Sequence, residues 1–448
     1  MVDKKMEDTE EIEGLANSKT FKRYIFMWSG QLFSILGSSV VNFAITWWVL
    51  VLTGSPTLLS IGVFMYMLPM AFLTPIAGVL ADRWSRKKIV IIADSLQAST
   101  TLWIIALFIF GAANPLVVIL IVGLRGIFQA FHVPTVNAIT PTMVPKDKLS
   151  RMNGFGYLFS SLINIFGPIL GALLYEILHG DIFLILWIDI ITFLIALIPL
   201  LIVKIPIVKR SKIEVKKNSF LFEFKTGIKT IKLIPGILTL LLLSMLLNFL
   251  LMPFNVLLPY IIEAPHIHAG SASDYAFVMV FFQVGMVLGA LLTSVKKEWK
   301  HKLFTYFGSL VVLTGLLSVF AFAPNGFFLM LGVATFVVGF LLPIGNTIYM
   351  TIIQTTVPHD KMGRVSSIDH SISSMIAPFG ALIAGPLAEV IGARIVFLLG
   401  SIIGIVATSY TWRVMKVKKI DYDDKIALNE VTEKINNING EKDGSNTN

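Results

Sequence analysis

Long apolar runs, separated by short polar segments, fill the chain from about residue 20 to about residue 415. Spanning the hydrocarbon core of a bilayer takes about 20 mostly apolar residues, and twelve runs reach that length. They lie at 22–50, 57–80, 89–110, 114–136, 153–178, 181–203, 236–262, 273–295, 303–322, 326–350, 366–389 and 394–415. The pattern therefore predicts an all-α membrane protein with twelve transmembrane helices, numbered here as spans 1 to 12.

The composition supports a membrane protein and excludes several kinds of site. Hydrophobic residues make up 55% of the 448 positions and charged residues 14%, whereas a soluble domain carries about 25% charged residues. There is no cysteine, which excludes disulfides, thiolate metal sites and a cysteine nucleophile. The sequence also lacks the nucleotide-binding pattern G-x-x-x-x-G-K-[ST] and a His/Glu metal pair on a span. We therefore expect no cofactor and no metal.

The basic residues lie on one side of the predicted spans. The connections after spans 2, 4, 6, 8 and 10 carry nearly all of the loop Lys and Arg, and residues 204–232 alone carry nine of them against two acidic residues. The opposite connections at 53–56, 111–115, 179–181, 263–274 and 323–326 carry none. By the positive-inside rule the basic side is cytoplasmic, so both termini are expected inside. The net charge of +9 thus indicates contact with an anionic inner leaflet and not with nucleic acid.

An internal repeat divides the chain. VPKDKLSR at 144–151 aligns with VPHDKMGR at 357–364, with five of eight positions identical at an offset of 213 residues. We predict a cytoplasmic N-terminal tail (1–20), a six-helix bundle (21–203), a basic cytoplasmic linker (204–235), a second six-helix bundle (236–415) and a disordered cytoplasmic tail (416–448). Within the linker, residues 218–232 could form a helix lying on the membrane surface or a plain solvated segment. Many transporters are built from repeated bundles of this kind and bind their substrate between the two halves.

Three motifs carry a resemblance to a known family. GVLADRWSRKK at 78–88 closely resembles the loop signature of the major facilitator superfamily, except that Ser85 stands where the family usually has Gly. LRGIFQAF at 124–131 resembles its membrane-embedded arginine motif, and GPILGA at 167–172 partly matches its antiporter motif. The stretch 125–154 resembles the macrolide-efflux branch of its drug exporters. The superfamily resemblance covers about residues 20–415.

The resemblance implies a cytoplasmic gate and an antiporter-like helix. The gate would combine the run after span 2 with an acidic residue on span 11: Gly78, Asp82, Arg83, Arg86, Lys87, Lys88 and Asp369. In span 11 we expect Ser366 to be the N-cap, with Asp369 three residues on in a capping box. The alternative is that the basic run only anchors the loop in the cytoplasm. The antiporter-like motif consists of Gly167, Pro168 and Gly171.

Ionisable residues inside spans are rare, and each costs about 2.5–3.5 kcal/mol on insertion scales, so each is a candidate functional residue. On span 4, Arg125, Gln129 and His132 share one helical face. Asp94 lies in span 3 and Asp189 in span 6. We assign the transport cavity or its coupling to these five residues together with two polar residues of span 1, Gln31 and Asn42.

Several roles remain open for these groups. Arg125 could bind substrate or take part in proton coupling, or it could form a structural ion pair with Asp189 or Asp94. For Asp94 a structural role is favoured, with Lys87 or Lys88 as the candidate partner, and Asp189 is the better candidate for a proton carrier. His132 could couple protons or simply bond to backbone.

Taken with the resemblance, these observations favour a secondary active exporter of small amphipathic compounds such as macrolide-like drugs. It would work by alternating access as a proton antiporter and a monomer, in a bacterial inner membrane. Alternatives are export or flipping of a lysophospholipid or a siderophore-like metabolite. A membrane-integral enzyme is disfavoured, because the sequence has no His/Glu metal pair on a span and no G-x-S-x-G motif, and we expect no paired carboxylates across one cavity. A transporter-like receptor is also disfavoured, because such a protein would need a large soluble output domain.

Overall fold

The computed structural model describes residues 16–206, 231–232, 236–296, 299–357 and 359–414. Within them lie twelve helices, all long and apolar enough to cross a membrane, and no strand. They are α1 Ser18–Thr53, α2 Pro56–Arg83, α3 Arg86–Ile109, α4 Pro115–Met143, α5 Lys146–Ile177, α6 Ile182–Ile202, α7 Ile237–Glu263, α8 Ala272–Val295, α9 Lys302–Phe322, α10 Phe328–Thr356, α11 His359–Ile391 and α12 Ala393–Val414. The prediction of an all-α protein with twelve membrane helices is confirmed. The predicted surface helix, apart from residues 231–232, and the C-terminal tail lie outside the described residues.

Two helices begin well before the apolar runs that predict them. α5 begins at Lys146 and α11 at His359, each seven residues ahead of the expected start. Hydropathy marks where a helix enters the hydrocarbon, whereas the helix itself continues as long as its backbone hydrogen bonds do. Ser366 therefore lies inside α11, and its predicted role as the N-cap is wrong.

By internal packing the chain divides into two compact units. The first comprises Met1–Val215 and Val256–Phe277, and the second Lys216–Asn255 and Val278–Asn448. In the first unit α2 packs along α4, α1 packs on α5 and α6, and α3 packs on α4 and α6. In the second unit α9 packs on α10 and α12. Each unit therefore supplies its own core.

The same close helix contact occurs twice, at the repeat offset. Gly126 of α4 lies so near the carbonyl oxygen of Tyr66 on α2 that a Cβ there would overlap it. Gly339 of α10 lies as near the carbonyl oxygen of Phe282 on α8. The two glycines are 213 positions apart, which is the spacing of the sequence repeat. Without a side chain at this position, the two backbones of each helix pair can touch.

A second repeated contact joins the first and fifth helix of each set. A Cβ on Gly167 of α5 would overlap Ser39 of α1, and a Cβ on Gly380 of α11 would meet Met252 of α7. Gly167 and Gly380 are 213 positions apart, and so are Ser39 and Met252. The repeat seen in the sequence is thus accompanied by equivalent helix contacts.

Candidate functional site

A polar cavity of about 280 Å³ lies inside the first unit, between helices α1 to α6. Its lining combines hydroxyls, amides and five titratable side chains with a few apolar groups. The lining residues are Gln31, Ser34, Ile35, Ser38, Ser39, Asn42, Tyr66, Asp94, Gln97, Ala98, Arg125, Gln129, His132, Ile163, Asn164, Asp189 and Phe193. All seven residues that the sequence assigned to a cavity are among them. The structure therefore brings this set together, while its role in transport stays a prediction.

Arg125 and Asp189 form the first of two charged pairs in this cavity. The guanidinium Nη2 lies 3.1 Å from one carboxylate oxygen of Asp189, and both side chains are at least 95% buried. Two hydroxyls complete the arrangement, since Ser38 donates to Asp189 at 2.6 Å and Thr101 donates to its other oxygen. Both hydroxyl oxygens accept from Arg125 at 3.2 Å. Of the two carboxylates considered from sequence, Asp189 is thus the partner of Arg125, and the pair joins α4 to α6.

Asp94 and His132 form the second pair, completed by Gln31. His132 Nε2 lies 3.2 Å from Asp94 Oδ1, and the Gln31 amide donates to Asp94 Oδ2 at 3.1 Å. The Gln31 carbonyl oxygen lies 3.1 Å from the same His132 Nε2. The predicted pairing of Asp94 with Lys87 or Lys88 is wrong, because the buried Asp94 carboxylate is bonded to α1 and α4, Lys87 donates to backbone carbonyls and Lys88 is exposed.

The hydrogen bonds define the tautomer of a neutral His132. Because Gln31 donates through its amide nitrogen, its oxygen faces His132 and can only accept. Nε2 must therefore carry the hydrogen. The other ring nitrogen, Nδ1, is buried and has no hydrogen-bond partner among the described residues. It keeps a lone pair to which none of the described residues donates.

The two pairs differ in charge. Arg125 and Asp189 neutralise each other, whereas the pair of Asp94 with a neutral imidazole carries one negative charge. Tyr66, on α2, is the remaining titratable group in the lining. With a neutral His132 the cavity as a whole has a net charge of −1.

Only the first half of the repeat carries these ionisable groups. The positions 213 residues after Asp94, Arg125, His132 and Asp189 are apolar or small, namely Phe307, Val338, Gly345 and Ile402. The glycines at close helix contacts therefore occur in both halves of the repeat. The charged residues of this site occur only in the first half.

The antiporter-like motif packs α5 against the wall of the cavity. Gly167 lies against Ser39, and a Cβ on Gly171 would meet both the carbonyl oxygen of Val40 and the ring of Phe43. Pro168 has no N–H, so the carbonyl of residue 164 lacks its usual helical donor. These three residues thus bring α5 close to α1 and loosen its backbone bonding next to the cavity.

The basic run of the predicted gate is bonded within its own unit. Arg86 donates to the carbonyl of Ala138 at 2.9 Å and to that of Ala81 at 3.4 Å. Lys87 Nζ donates to the carbonyls of Leu201 and Val203 at 2.6 and 2.8 Å. These bonds fasten the start of α3 to the ends of α2, α4 and α6.

Other members of the predicted gate are placed as follows. Lys88 is exposed, and Gly78 has open space where a Cβ would stand. The side chains of Asp82 and Arg83 lie outside the described part of the chain. In the second unit, Asp369 accepts a hydrogen bond from the Tyr349 hydroxyl at 2.7 Å.

Sequence reasoning missed several polar contacts of this unit. Ser38 and Thr101 complete the Arg125–Asp189 pair, but isolated hydroxyls in apolar helices give no pattern that would select them. Glu176, near the C-terminal end of α5, accepts from the backbone N–H and the hydroxyl of Ser273 at 2.9 and 2.6 Å. Glu176 therefore caps the start of α8, a contact between residues 97 positions apart.

Comparison with known proteins identifies the family. A profile of the Major Facilitator Superfamily matches residues 27–379, so the chain belongs to this superfamily. Macrolide efflux protein A of Streptococcus pyogenes is 28% identical over 401 residues, covering 89% of this chain and 97% of that protein. Multidrug efflux pump Tap of Mycolicibacterium fortuitum is 26% identical over 386 residues, covering 83% and 91%.

Solved structures show the same fold. The nucleoside transporter NupG matches with a TM-score of 0.66 at 14% identity, covering 87% of this chain and 98% of that one. A D-xylose-proton symporter matches with a TM-score of 0.63 at 13% identity, covering 89% and 98%. The superfamily match and the efflux relatives, together with this fold, make the chain a multi-pass membrane transporter and not an enzyme.

Proposed function

We propose that this transporter exports small amphipathic compounds, macrolide-like drugs among them, in exchange for protons and by alternating access. The observation that carries the proposal is the polar cavity of the first unit, with its two buried charged pairs. Ionisable residues within membrane helices mark substrate or proton pathways, because their burial is otherwise unfavourable. The names of the efflux relatives support both the direction and the substrate class.

The lining of the cavity suits an amphipathic ligand. Aromatic and aliphatic groups such as Tyr66, Ile163 and Phe193 alternate with amides such as Asn42 and Gln129. Sites for drug-sized molecules combine apolar walls with a few polar groups that orient the ligand.

The arrangement of charges supports a particular proton carrier. A proton on Asp189 would leave the buried Arg125 without its counter-ion, which is strongly unfavourable. A proton on the Asp94–His132 pair would instead neutralise an uncompensated charge. We therefore place the proton on Asp94–His132 and assign Asp189 to holding Arg125, although the sequence favoured Asp189 as the carrier.

The cytoplasmic gate and the orientation remain part of the proposal. Bonds from Arg86 and Lys87 hold the basic run at a defined place on the first unit. Asp369, on α11, is an acidic residue of the second unit that could meet this run in one of the transport states. Both termini are proposed to be cytoplasmic.

Drug accumulation in an efflux-deficient bacterium tests the proposal. Cells expressing the full chain should accumulate less erythromycin than cells with an empty vector, and a protonophore should abolish the difference. Arg125→Ala, expressed to the same level in the membrane, should behave as the empty vector. Unchanged accumulation of every drug in a panel would contradict drug export and favour lipids or metabolites, and raised accumulation would reverse the direction.

A further inference from the structure

We infer that the first unit binds one acyl chain of a membrane phospholipid in an apolar groove between α5 and α6. The groove has a volume of about 180 Å³, and the groups that line it are hydrocarbon. It shares no lining residue with the polar cavity. The inference goes beyond the proposed function, since it requires only that the helices cross the bilayer.

Helix α1 forms the floor of the groove. The residues that it contributes lie at helical spacing along one face, namely Phe33, Leu36, Gly37 and Val40. Ser34 and Ser38, which lie next to them in the sequence, line the polar cavity instead. α1 therefore has the polar cavity on one side and the apolar groove on another.

The walls of the groove come from α5 and α6, which scarcely contact each other although α1 packs on both. The wall residues are Leu170, Leu173 and Leu174 on α5, and Ile188 and Thr192 on α6. The Thr192 hydroxyl donates to the carbonyls of Ile188 and Asp189 at 2.8 and 3.2 Å within its own helix. Its hydrogen is thus used by the backbone of α6, and the groove offers a ligand no polar partner.

The groove is closed at its bottom and open at the surface. A Cβ on Gly37 would overlap Thr192, so α1 and α6 touch below the groove. At its edges, Phe33 and Leu173 are 55% and 48% exposed. A ligand therefore enters from the surface of the unit.

Depth in the bilayer determines which molecule meets this opening. Leu36 lies at the middle of the apolar run 22–50, and Thr192 at the middle of the run 181–203. The hydrocarbon core of a bilayer is about 30 Å thick, so headgroups and bulk water stay far from its middle. The groove is continuous with the apolar surface that the helices present to the bilayer, and acyl chains are what lies there.

Packing favours an acyl chain in the groove over an empty one. Water does not fill it, because a buried water needs polar partners. An unfilled groove would leave its lining atoms without neighbours on one side, which forfeits dispersion energy. An engineered protein cavity of about 150 Å³ with a similar lining binds benzene, so this groove has room for a segment of an acyl chain.

Photolabelling in a detergent without alkyl chains tests the site. We would titrate the purified full-length chain, in a steroid-based detergent, with a phosphatidylcholine that carries a diazirine at the end of one acyl chain, and map the adducts by mass spectrometry. Labelling of groove residues such as Leu36 and Leu174 should saturate at one lipid per chain. Phosphatidylcholine without the diazirine should displace the probe, whereas glycerophosphocholine, which has the same headgroup and no acyl chain, should not.

Two sites on the same unit provide the controls. The exposed apolar surface of α6 at Leu194, Ile195 and Ile198 should be labelled in proportion to the probe, without saturation. Leu173→Trp places a large side chain at the edge of the groove and should lower labelling of the groove at least about tenfold. Leu194→Trp, the same substitution at that exposed surface, should leave labelling of the groove unchanged.

The results decide between occupants of the groove. Labelling that does not saturate, that glycerophosphocholine displaces as well as phosphatidylcholine does, or that persists in Leu173→Trp would overturn the inference. Labelling that disappears as the chain self-associates at higher protein concentration would assign the groove to a second copy and overturn it too. The wild-type titration decides even if a variant fails to fold. Drug accumulation in cells is measured separately, so failure of the proposed function is distinguishable from failure of this inference.

Discussion

Arg125 on α4 and Asp189 on α6 form a buried ion pair in which Nη2 and a carboxylate oxygen are 3.1 Å apart. Ser38 of α1 and Thr101 of α3 bond to both partners, so four helices of the first unit meet at this point. Among the side chains that line the cavity, the Asp94–His132 pair is the only other charged partner available to either group. The Arg125–Asp189 pair should therefore hold the four helices together as well as shape the cavity.

Removing one charge of this pair should lower the unfolding free energy more than removing both charges. Asp189→Asn leaves a buried guanidinium without a counter-ion, and we expect a loss of about 3 kcal/mol in unfolding free energy. Arg125→Met combined with Asp189→Leu removes both charges and should recover part of that loss. Reversible unfolding of the purified variants in mixed micelles measures both, with Asp181→Asn as an exposed control. Equal stability of Asp189→Asn and wild type would show that the pair does not hold the helices.

Lys87 should stabilise the C-terminal end of α6. Its ammonium donates to the carbonyls of Leu201 and Val203, which have no helical N–H to accept from. Lys87→Met should therefore lower stability by about 1–2 kcal/mol and speed amide exchange in the last turn of α6. Lys88→Met, the adjacent exposed lysine, is the matched control and should change neither. Similar exchange in both variants would rule out this capping role.

Gly126 should not tolerate a side chain. A methyl group there would overlap the carbonyl oxygen of Tyr66, which belongs to the backbone of α2 and cannot move alone. We expect Gly126→Ala to lower the unfolding free energy by about 2–3 kcal/mol or more. Gly156→Ala on α5 is the control, because no atom lies within 4 Å of the Cβ position. Thermal melting of the two variants makes the comparison, and equal melting temperatures would contradict close packing of α2 on α4.

Glu176 and Ser273 offer a test of alternating access. Their contact joins the C-terminal end of α5 to the N-terminal end of α8, and the proposed mechanism requires these ends to separate during the cycle. The chain has no native cysteine, so Glu176→Cys with Ser273→Cys would be its only thiols. A short bis-maleimide should cross-link them and stop export, whereas each single variant should stay active under the same treatment. Full export by the cross-linked protein would argue against movement at this point.

The sequence predicted the fold because the membrane leaves few choices. Backbone groups in hydrocarbon must bond within their own segment, so a run of sufficient apolar length is a helix. Each of the twelve runs corresponds to one of the twelve helices in the described part of the chain, and the motif at 78–88 indicated the superfamily. Hydropathy could not indicate where a helix ends in the polar region, which is why α5 and α11 begin a full two turns early and Ser366 is not an N-cap.

The sequence also determined which residues are candidates for the site, since a charge inside an apolar run stands out by its unfavourable transfer to hydrocarbon. Only the tertiary structure decided how these charges combine. Arg125 is 64 positions from Asp189, and either Asp189 or Asp94 was an acceptable partner until the packing of α4 and α6 was known. The structure also assigned Lys87 to carbonyl groups and not to a carboxylate. Pairing depends on distance and orientation between helices, and these arise from packing that no single run of residues encodes.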